Sequence, residues 1–315
     1  MGLFRDRSFQ ALLKHVAHLL CQMPARAQRP PCTASTCGAR LIGAASVKKR
    51  RSFPLAGTRR SLRRVAAGVA AFAFAAIAPA RAETLTLLYG GEAYRVVALG
   101  EAFLSVRLSA GAYSAEGQIR SAGLAALFAD TDLTARASGR RQNQDVRPEI
   151  YDLDHSYAGL TRKIQVRKEA GSVIVRAQPS FGFEGDPAPS ELQKSVGRDP
   201  LSSMISMGLG VAATRACPPS QRIFDGRYVY DVSFDRARSG HVSGHVYHGP
   251  VLSCQIRQTR IAGYRTRSDL RKRLPDGEIT FALDAHPHFA PPYKVAAATP
   301  LGRATIRLRR IIRAP

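Results

Sequence analysis

Residues 199–234 read DPLSSMISMGLGVAATRACPPSQRIFDGRYVYDVSF, and three structural signals follow one another along them. Asp199 suits a helix N-cap and Pro200 the first turn, where a missing N–H costs nothing. Leu201 to Thr214 then carry no charge, until Arg215 complements the negative end of the helix dipole. A helix that is apolar all round is a buried one, and a rod of this length reaches only about 21 Å. It therefore belongs against or inside a sheet. Cys217 and two prolines come next, then Asp225-Gly226, which reads as the two-residue loop of a hairpin because both central residues of that turn take positive φ. Ile223 and Phe224 enter the turn. Tyr228, Tyr230, Val232 and Phe234 leave it at every second position.

The same period of two extends in both directions. Leu104, Val106 and Leu108 alternate with polar residues, as do Tyr113, Ala115 and Ile119, Ile164 and Val166, Ile279, Phe281 and Leu283, and Ala304, Ile306 and Leu308. One buried and one wet face is the mark of antiparallel sheets. Turn signals separate the runs at Leu99-Gly100, Ser109 to Gly111, Glu169 to Ser172, Asp225-Gly226 and Pro275 to Gly277. The expected fold class is mainly β: a single curved antiparallel sheet or open β-barrel of about ten strands, holding one buried apolar helix. Leu124 to Phe128 add one or two helical turns. Pro179 to Arg198, with three prolines, three acids and no periodicity, read either as a lid or as a plain connector.

The first 82 residues look unlike the rest, with 15 of the 47 Lys and Arg and a single acid, Asp6. Arg59 to Arg64 lead into the uncharged run Val65 to Ala78 and then Pro79-Ala80-Arg81-Ala82, the basic, apolar and small-residue parts of a secretory signal cleaved after Ala82. A membrane anchor needs roughly 20 apolar residues, more than this run offers. Thr58-Arg59-Arg60-Ser61-Leu62 also resembles a twin-arginine signal, although Arg63 departs from it. The expected organisation is thus 1–46 as an extension upstream of a start at Val47, 47–82 as signal peptide and 83–315 as one β-rich domain in the periplasm. Residues 83–315 hold 32 basic and 22 acidic residues, so their net charge is +10 rather than the +24 of the whole chain. No phosphate loop, zinc finger or RNA-binding motif accompanies that charge, which speaks against a nucleic-acid partner. Basic clusters at Arg265 to Arg273 and Arg303 to Arg310 suit anionic envelope lipid or polymer, or a solvated face.

Cys217 and Cys254 are the two cysteines of the exported part, and an even pair in an oxidising compartment reads as a disulfide. Closing a loop of this size contributes about 4 kcal/mol through the unfolded chain. Five of the six histidines of the domain cluster in GHVSGHVYHGP (240–250) and AHPHF (285–289). His286 and His288 share a face if they lie in a strand, as do His241 and His245, whereas His248 falls on the other side. That spacing could ligate Zn or Cu through imidazole, which makes a metal-binding protein or metal-dependent hydrolase the main alternative reading. Asp284 is the one close acid, and the chain has no G-x-S-x-G elbow and no H-E-x-x-H.

Asp199-Pro200-Leu201-Ser202, Cys217, Phe224-Asp225-Gly226-Arg227 with Tyr230-Asp231, Tyr247-x-Gly249 before Cys254, and Thr299-Pro300-Leu301-Gly302 resemble the bacterial family catalogued as domain of unknown function 3108. The likeness runs over about residues 90 to 310. It implies an exported single domain and no particular chemistry. The pattern of a curved sheet around an apolar helix is also similar to the open barrel of periplasmic lipoprotein carriers, a likeness of fold alone. The function these observations favour is a monomeric, non-enzymatic periplasmic protein without cofactor, holding a hydrophobic or amphiphilic ligand in lipid or lipoprotein handling. Leu201, Ile205, Leu209, Tyr228 and Tyr230 are its candidate lining, with Asp225, Gly226 and Arg227 at the turn or mouth. A structural protein docking on anionic polymers through Arg303 to Arg310 is a further alternative.

Overall fold

The computed structural model describes residues 82–93, 97–122, 131–157, 159–169, 171–271, 276–299 and 302–314, which fall in one compact unit. The proposed upstream extension, the leader before Ala82 and the turns expected over 124–128 lie outside those residues. Seven strands come first: β1 (Glu83–Ala93), β2 (Val97–Leu108), β3 (Ala112–Ser121), β4 (Thr131–Gln142), β5 (Asp145–Tyr157), β6 (Leu160–Glu169) and β7 (Ser172–Gln178). Helices α1 (Glu191–Val196) and α2 (Pro200–Thr214) follow. A second meander runs through β8 (Gln221–Phe224), β9 (Val229–Ser243), β10 (His248–Ala262), the short α3 (Arg267–Arg271), β11 (Gly277–Ala282), β12 (Pro292–Thr299) and β13 (Gly302–Ala314).

All thirteen strands belong to one antiparallel sheet. Strand β13 returns to pair with β1, so the sheet order is β7 through β1, then β13 back down to β8. The break in the meander is therefore where the two helices are inserted, and β7 and β8 are its outer strands. The number exceeds the ten expected because β4 and β5, joined at Gln142 to Asp145, alternate small or apolar inward residues with charged outward ones. Nor is Leu99-Gly100 a turn; it lies within β2, opposite an irregularity in β1.

The expected inner faces of β2, β3, β6 and β13 are the observed ones, whereas on β9 it is Val229, of the parity opposite to Tyr228 and Tyr230, that reaches the main core. Leu85 and Leu87 of β1, Leu104 and Val106 of β2, Tyr113 and Ala115 of β3, Ile164 and Val166 of β6, Val229 of β9 and Leu308 of β13 share one core with Leu201, Ile205 and Leu209 of α2. A flat sheet cannot achieve this, since strands spaced by about 4.8 Å would set β6 and β8 roughly 50 Å apart. Instead the loop after β8 touches β6: a Cβ on Gly226 would stand 2.4 Å from the Ile164 Cγ2. The sheet curls around α2 without closing by hydrogen bonds, giving a barrel-like wall with a seam between β7 and β8.

Helix α2 begins as expected, with Asp199 as N-cap accepting from the Ser202 N–H at 2.8 Å, and ends with Arg215 in the left-handed region at φ 53°. Cys217 and Cys254 form a disulfide, Cα to Cα 5.9 Å, which ties the chain leaving α2 to β10. Asp225-Gly226 is not a two-residue hairpin loop. Phe224 pairs with Val229, so four residues make the connection, and of them Gly226 takes a positive φ, at 97°. The Asp225 carboxylate replaces the tighter turn's bonds by accepting from the backbone N–H of Arg227 at 2.9 Å and of Tyr228 at 2.7 Å. That loop is buried, a placement turn chemistry alone does not foretell.

Candidate functional site

The segment from Ser195 to Asp199 spans the seam. On one side the Lys168 ammonium of β6 donates to the carbonyls of Ser195, at 2.9 Å, and Gly197. On the other, Arg198 makes a parallel bridge with β8, its N–H bonding the Arg222 carbonyl at 2.9 Å while its own carbonyl accepts from Phe224 N–H at 2.8 Å. The region Pro179 to Arg198 is therefore neither uniform loop nor plain connector, because it contains α1. Ser190 caps that helix and Gln193 closes a capping box with it, a signal present in the sequence as Ser-x-x-Gln.

Arg198 anchors a polar frame beside α2. Its guanidinium donates to Asp145 Oδ2 and Ser206 Oγ, each at 2.6 Å, and to Gln221 Oε1 at 2.8 Å, and Ser206 donates in turn to Asp145 Oδ1 at 2.7 Å. Four separate stretches of chain meet here: the β4–β5 turn, the seam segment, α2 and the start of β8. Beside the frame opens a cleft of about 1050 Å³, lined among others by Asn143, Val196, Arg198, Gly210, Pro219 and Gln221. Both arginines of its wall are paired, Arg198 with Asp145 and Arg222 with Asp231 of β9 through two contacts of 2.8 Å. Deeper in, Asp199 is buried and its carboxyl is pushed up to about 6 by burial, while Lys168 opposite is pushed down to about 8 for the same reason.

The five residues expected to line a greasy interior are all buried, but the structure does not bring them to one cavity. Leu201, Ile205 and Leu209 point into the main core, packed by the sheet that surrounds them. Tyr228 and Tyr230 sit in a separate cluster with Ile223 and Tyr264. Helix α2 packs directly on the sheet through Leu201, Ile205 and Leu209, and the cleft opens beside it and not between helix and sheet. The sequence missed Arg198, Asp145, Ser206 and Gln221, whose only linear signal is the position of Arg198 just before the helix cap.

The histidines also separate. His241 faces His248 across the β9–β10 pair, Nε2 to Nε2 3.4 Å, and not His245, so the expected grouping by strand parity is wrong. The turn from Gly244 to Tyr247 holds His245 and ends the strand, so parity cannot be counted across it, and His241, paired with Pro250, has His248 as its diagonal neighbour on the facing strand. His286 and His288 lie in the turn after β11 and not on a strand. Both nitrogens of His286 are engaged: Nδ1 accepts from the His288 N–H at 3.2 Å, and Nε2 meets Glu83 at 2.9 Å. No group of three or more metal-ligating side chains occurs among the described residues. Of the basic cluster on β13, Arg303 pairs with Glu278 and Arg309 with Glu92.

Fold and cleft together define a barrel-like, helix-filled β domain with a polar-framed opening at its seam. No protein-family profile matches the chain, and no curated protein matches it. Among solved structures it is similar to the crystal structure of a beta-barrel-like protein of domain of unknown function DUF1849 from Brucella abortus, with 10% identity and a TM-score of 0.45 over 74% of this chain and 98% of that one.

Proposed function

We propose that this protein is a non-enzymatic binding scaffold of the bacterial periplasm that holds an amphiphilic ligand, a lipid or the acylated part of a lipoprotein, in the cleft at its seam. The carrying observation is the cleft itself. Its size matches small-molecule sites, which run to about 1000 Å³. Val196, Pro218, Pro219 and Gly210 offer apolar surface beside the rigid Arg198 frame. An amphiphile satisfies both halves of such a wall, whereas a purely apolar ligand would leave the frame's rim desolvated. The placement outside the cytoplasm rests on the leader reading, and the resemblance to family 3108 is not matched by any family profile.

Gly210 provides the test. A Cβ there meets nothing within 4 Å, so Gly210→Trp fills the cleft from the exposed side of α2 without disturbing the core. Protein purified without detergent from a Gram-negative host and extracted for mass spectrometry is expected to release a stoichiometric amphiphile, and Gly210→Trp to release several-fold less. Equal loads in the two proteins, or none in either, would remove the proposal.

A further inference from the structure

A second charged centre lies where the β8–β9 loop meets β6, and none of its residues lines the cleft. Arg227, in the β8–β9 loop, is 7% exposed, and its Nε and Nη2 have no hydrogen-bond partner. Aromatic rings surround it instead: its Cζ lies 3.9 Å from the Phe183 ring centre, 4.7 Å from that of Phe181 and 5.0 Å from that of Tyr228. Such contacts favour the cation over its faces. They do nothing for its N–H bonds, which lie in the guanidinium plane. Nε–H and the neighbouring Nη2–H point the same way from one edge, forming the fork that accepts a carboxylate or phosphate with two parallel bonds. Both N–H groups of this edge are buried and without an acceptor.

Like charge collects around the fork. Arg162 of β6 stacks on the Phe181 ring at 5.0 Å and Arg265 on the Phe183 ring at 5.8 Å, so each shares a ring with Arg227, and both act on its charge as cations. The Arg162 Nε is likewise buried and unpartnered. The nearest carboxylate, Asp225, spends Oδ1 on the backbone of its own loop and makes no ion pair with Arg227. Three guanidinium groups thus gather about two phenylalanine rings, and among the described residues none of them is in an ion pair, Asp225 acting on Arg227 through space alone.

The roof is built to stay in place. Phe181 and Phe183 belong to the strap after β7, which is latched by bonds from Asp186 N–H to the Tyr264 carbonyl at 2.8 Å and from Gly263 N–H to the Pro187 carbonyl at 2.9 Å. Gly185 and Gly263 allow this approach, since a Cβ on Gly185 would lie 2.5 Å from the Gly263 backbone and both have positive φ, 105° and 87°.

We infer that Arg227, with Arg162 and Arg265, forms a binding site for a phosphate-class oxyanion beneath the Phe181–Phe183 strap. The Nε/Nη2 fork of Arg227 binds two oxygens edge-on while the rings shield the pair from water, and the other two arginines neutralise remaining charge. The oxyanion is either free or the headgroup of an anionic lipid, since both present the same oxygens. This inference stands independently of the cleft.

Calorimetric titration of the purified protein with inorganic phosphate, and flotation with vesicles of phosphatidylglycerol in phosphatidylcholine, test it and separate the two sources. Binding is expected in at least one arm. Arg162→Gln and Arg265→Gln, both closer to the surface than Arg227, should each weaken it roughly tenfold, as for loss of one charge-assisted bond. Arg227→Lys keeps the charge, loses the fork, and should weaken it more than either. Phosphate binding in solution identifies the free ion, and vesicle binding alone identifies the headgroup. No binding in either arm overturns the inference. So does binding that all three variants retain at full strength while their circular dichroism stays native.

Discussion

Two arginines stand beside the seam, Arg198 on the segment that spans it and Arg227 in the β8–β9 loop, and the chain treats them differently. Arg198 donates to Asp145, Ser206 and Gln221, so its charge holds four pieces of the fold together. Arg227 is more deeply buried, stacked among rings, and has a free edge. A buried charge whose bonds are all made within the chain serves the structure. One whose bonds are not made is a cost that stability alone does not explain, because an uncompensated buried ion is among the most expensive features a core can hold. The contrast separates a frame from a receptor.

The largest expected effect sets the baseline that both regions share. Ile205→Ala, at a fully buried position of α2, should destabilise the protein by about 2–5 kcal/mol in denaturant unfolding, because the sheet wrapped around the helix cannot collapse into the space. A loss under about 1 kcal/mol would mean that α2 is not the element around which both sides of the seam are organised.

Next comes acidity, which touches one carboxylate beside each arginine, Asp199 after Arg198 and Asp225 before Arg227. Burial pushes Asp199 and Asp225 up to about 6, although Lys168 beside the first and Arg227 beside the second act in the opposite direction. The native protein therefore holds these protons more tightly than the unfolded chain. Their contribution to stability is greatest below about pH 4, where both states are protonated, and is lost as pH rises through about 6, by on the order of 3 kcal/mol for each group. Asp225→Asn, neutral throughout, should flatten the share belonging to the loop in midpoints of urea unfolding measured between pH 4 and 7. An unchanged slope would show that Asp225 is ionised without cost in the native loop.

The sharpest test replaces each arginine by a residue of similar length without charge. Arg198→Met should cost about 1–2 kcal/mol, since its three acceptors lose their shared donor. Arg227→Met should be neutral or stabilising in phosphate-free buffer, as replacement of uncompensated buried ions by apolar residues often is. Thermal midpoints of the two variants, measured side by side, decide the comparison. Equal losses would mean that Arg227 is as structural as Arg198.

Much of the fold was legible along the chain because burial of one sheet face imposes a period of two. Leu104 and Val106, Tyr113 and Ala115, and Ile164 and Val166 all face inward as that period requires. The uncharged run after Pro200 is a buried helix because no aqueous face could be assembled from it, and between residues 83 and 315 Cys217 had one partner, Cys254. Less was legible at the sites. Arg227 looked like a residue at a turn mouth, and Leu201, Ile205 and Leu209 like the lining of a pocket, because a linear pattern shows that a residue is buried but not what buries it. Helix α1 was missed although Ser190 and Gln193 spell its cap, since six residues give no periodicity to read.

The sequence by itself determined the local terms: which residues alternate, where a helix starts and stops, which cysteines can pair. These depend on neighbours within a few positions, and backbone geometry converts them directly into faces and ends. Only the tertiary structure decided that β13 returns to β1, that the seam therefore falls between β7 and β8, and that Arg162, Arg227 and Arg265 gather over two phenylalanines there. Those residues are brought together by the curl of the whole sheet, a sum over every strand that no single segment carries.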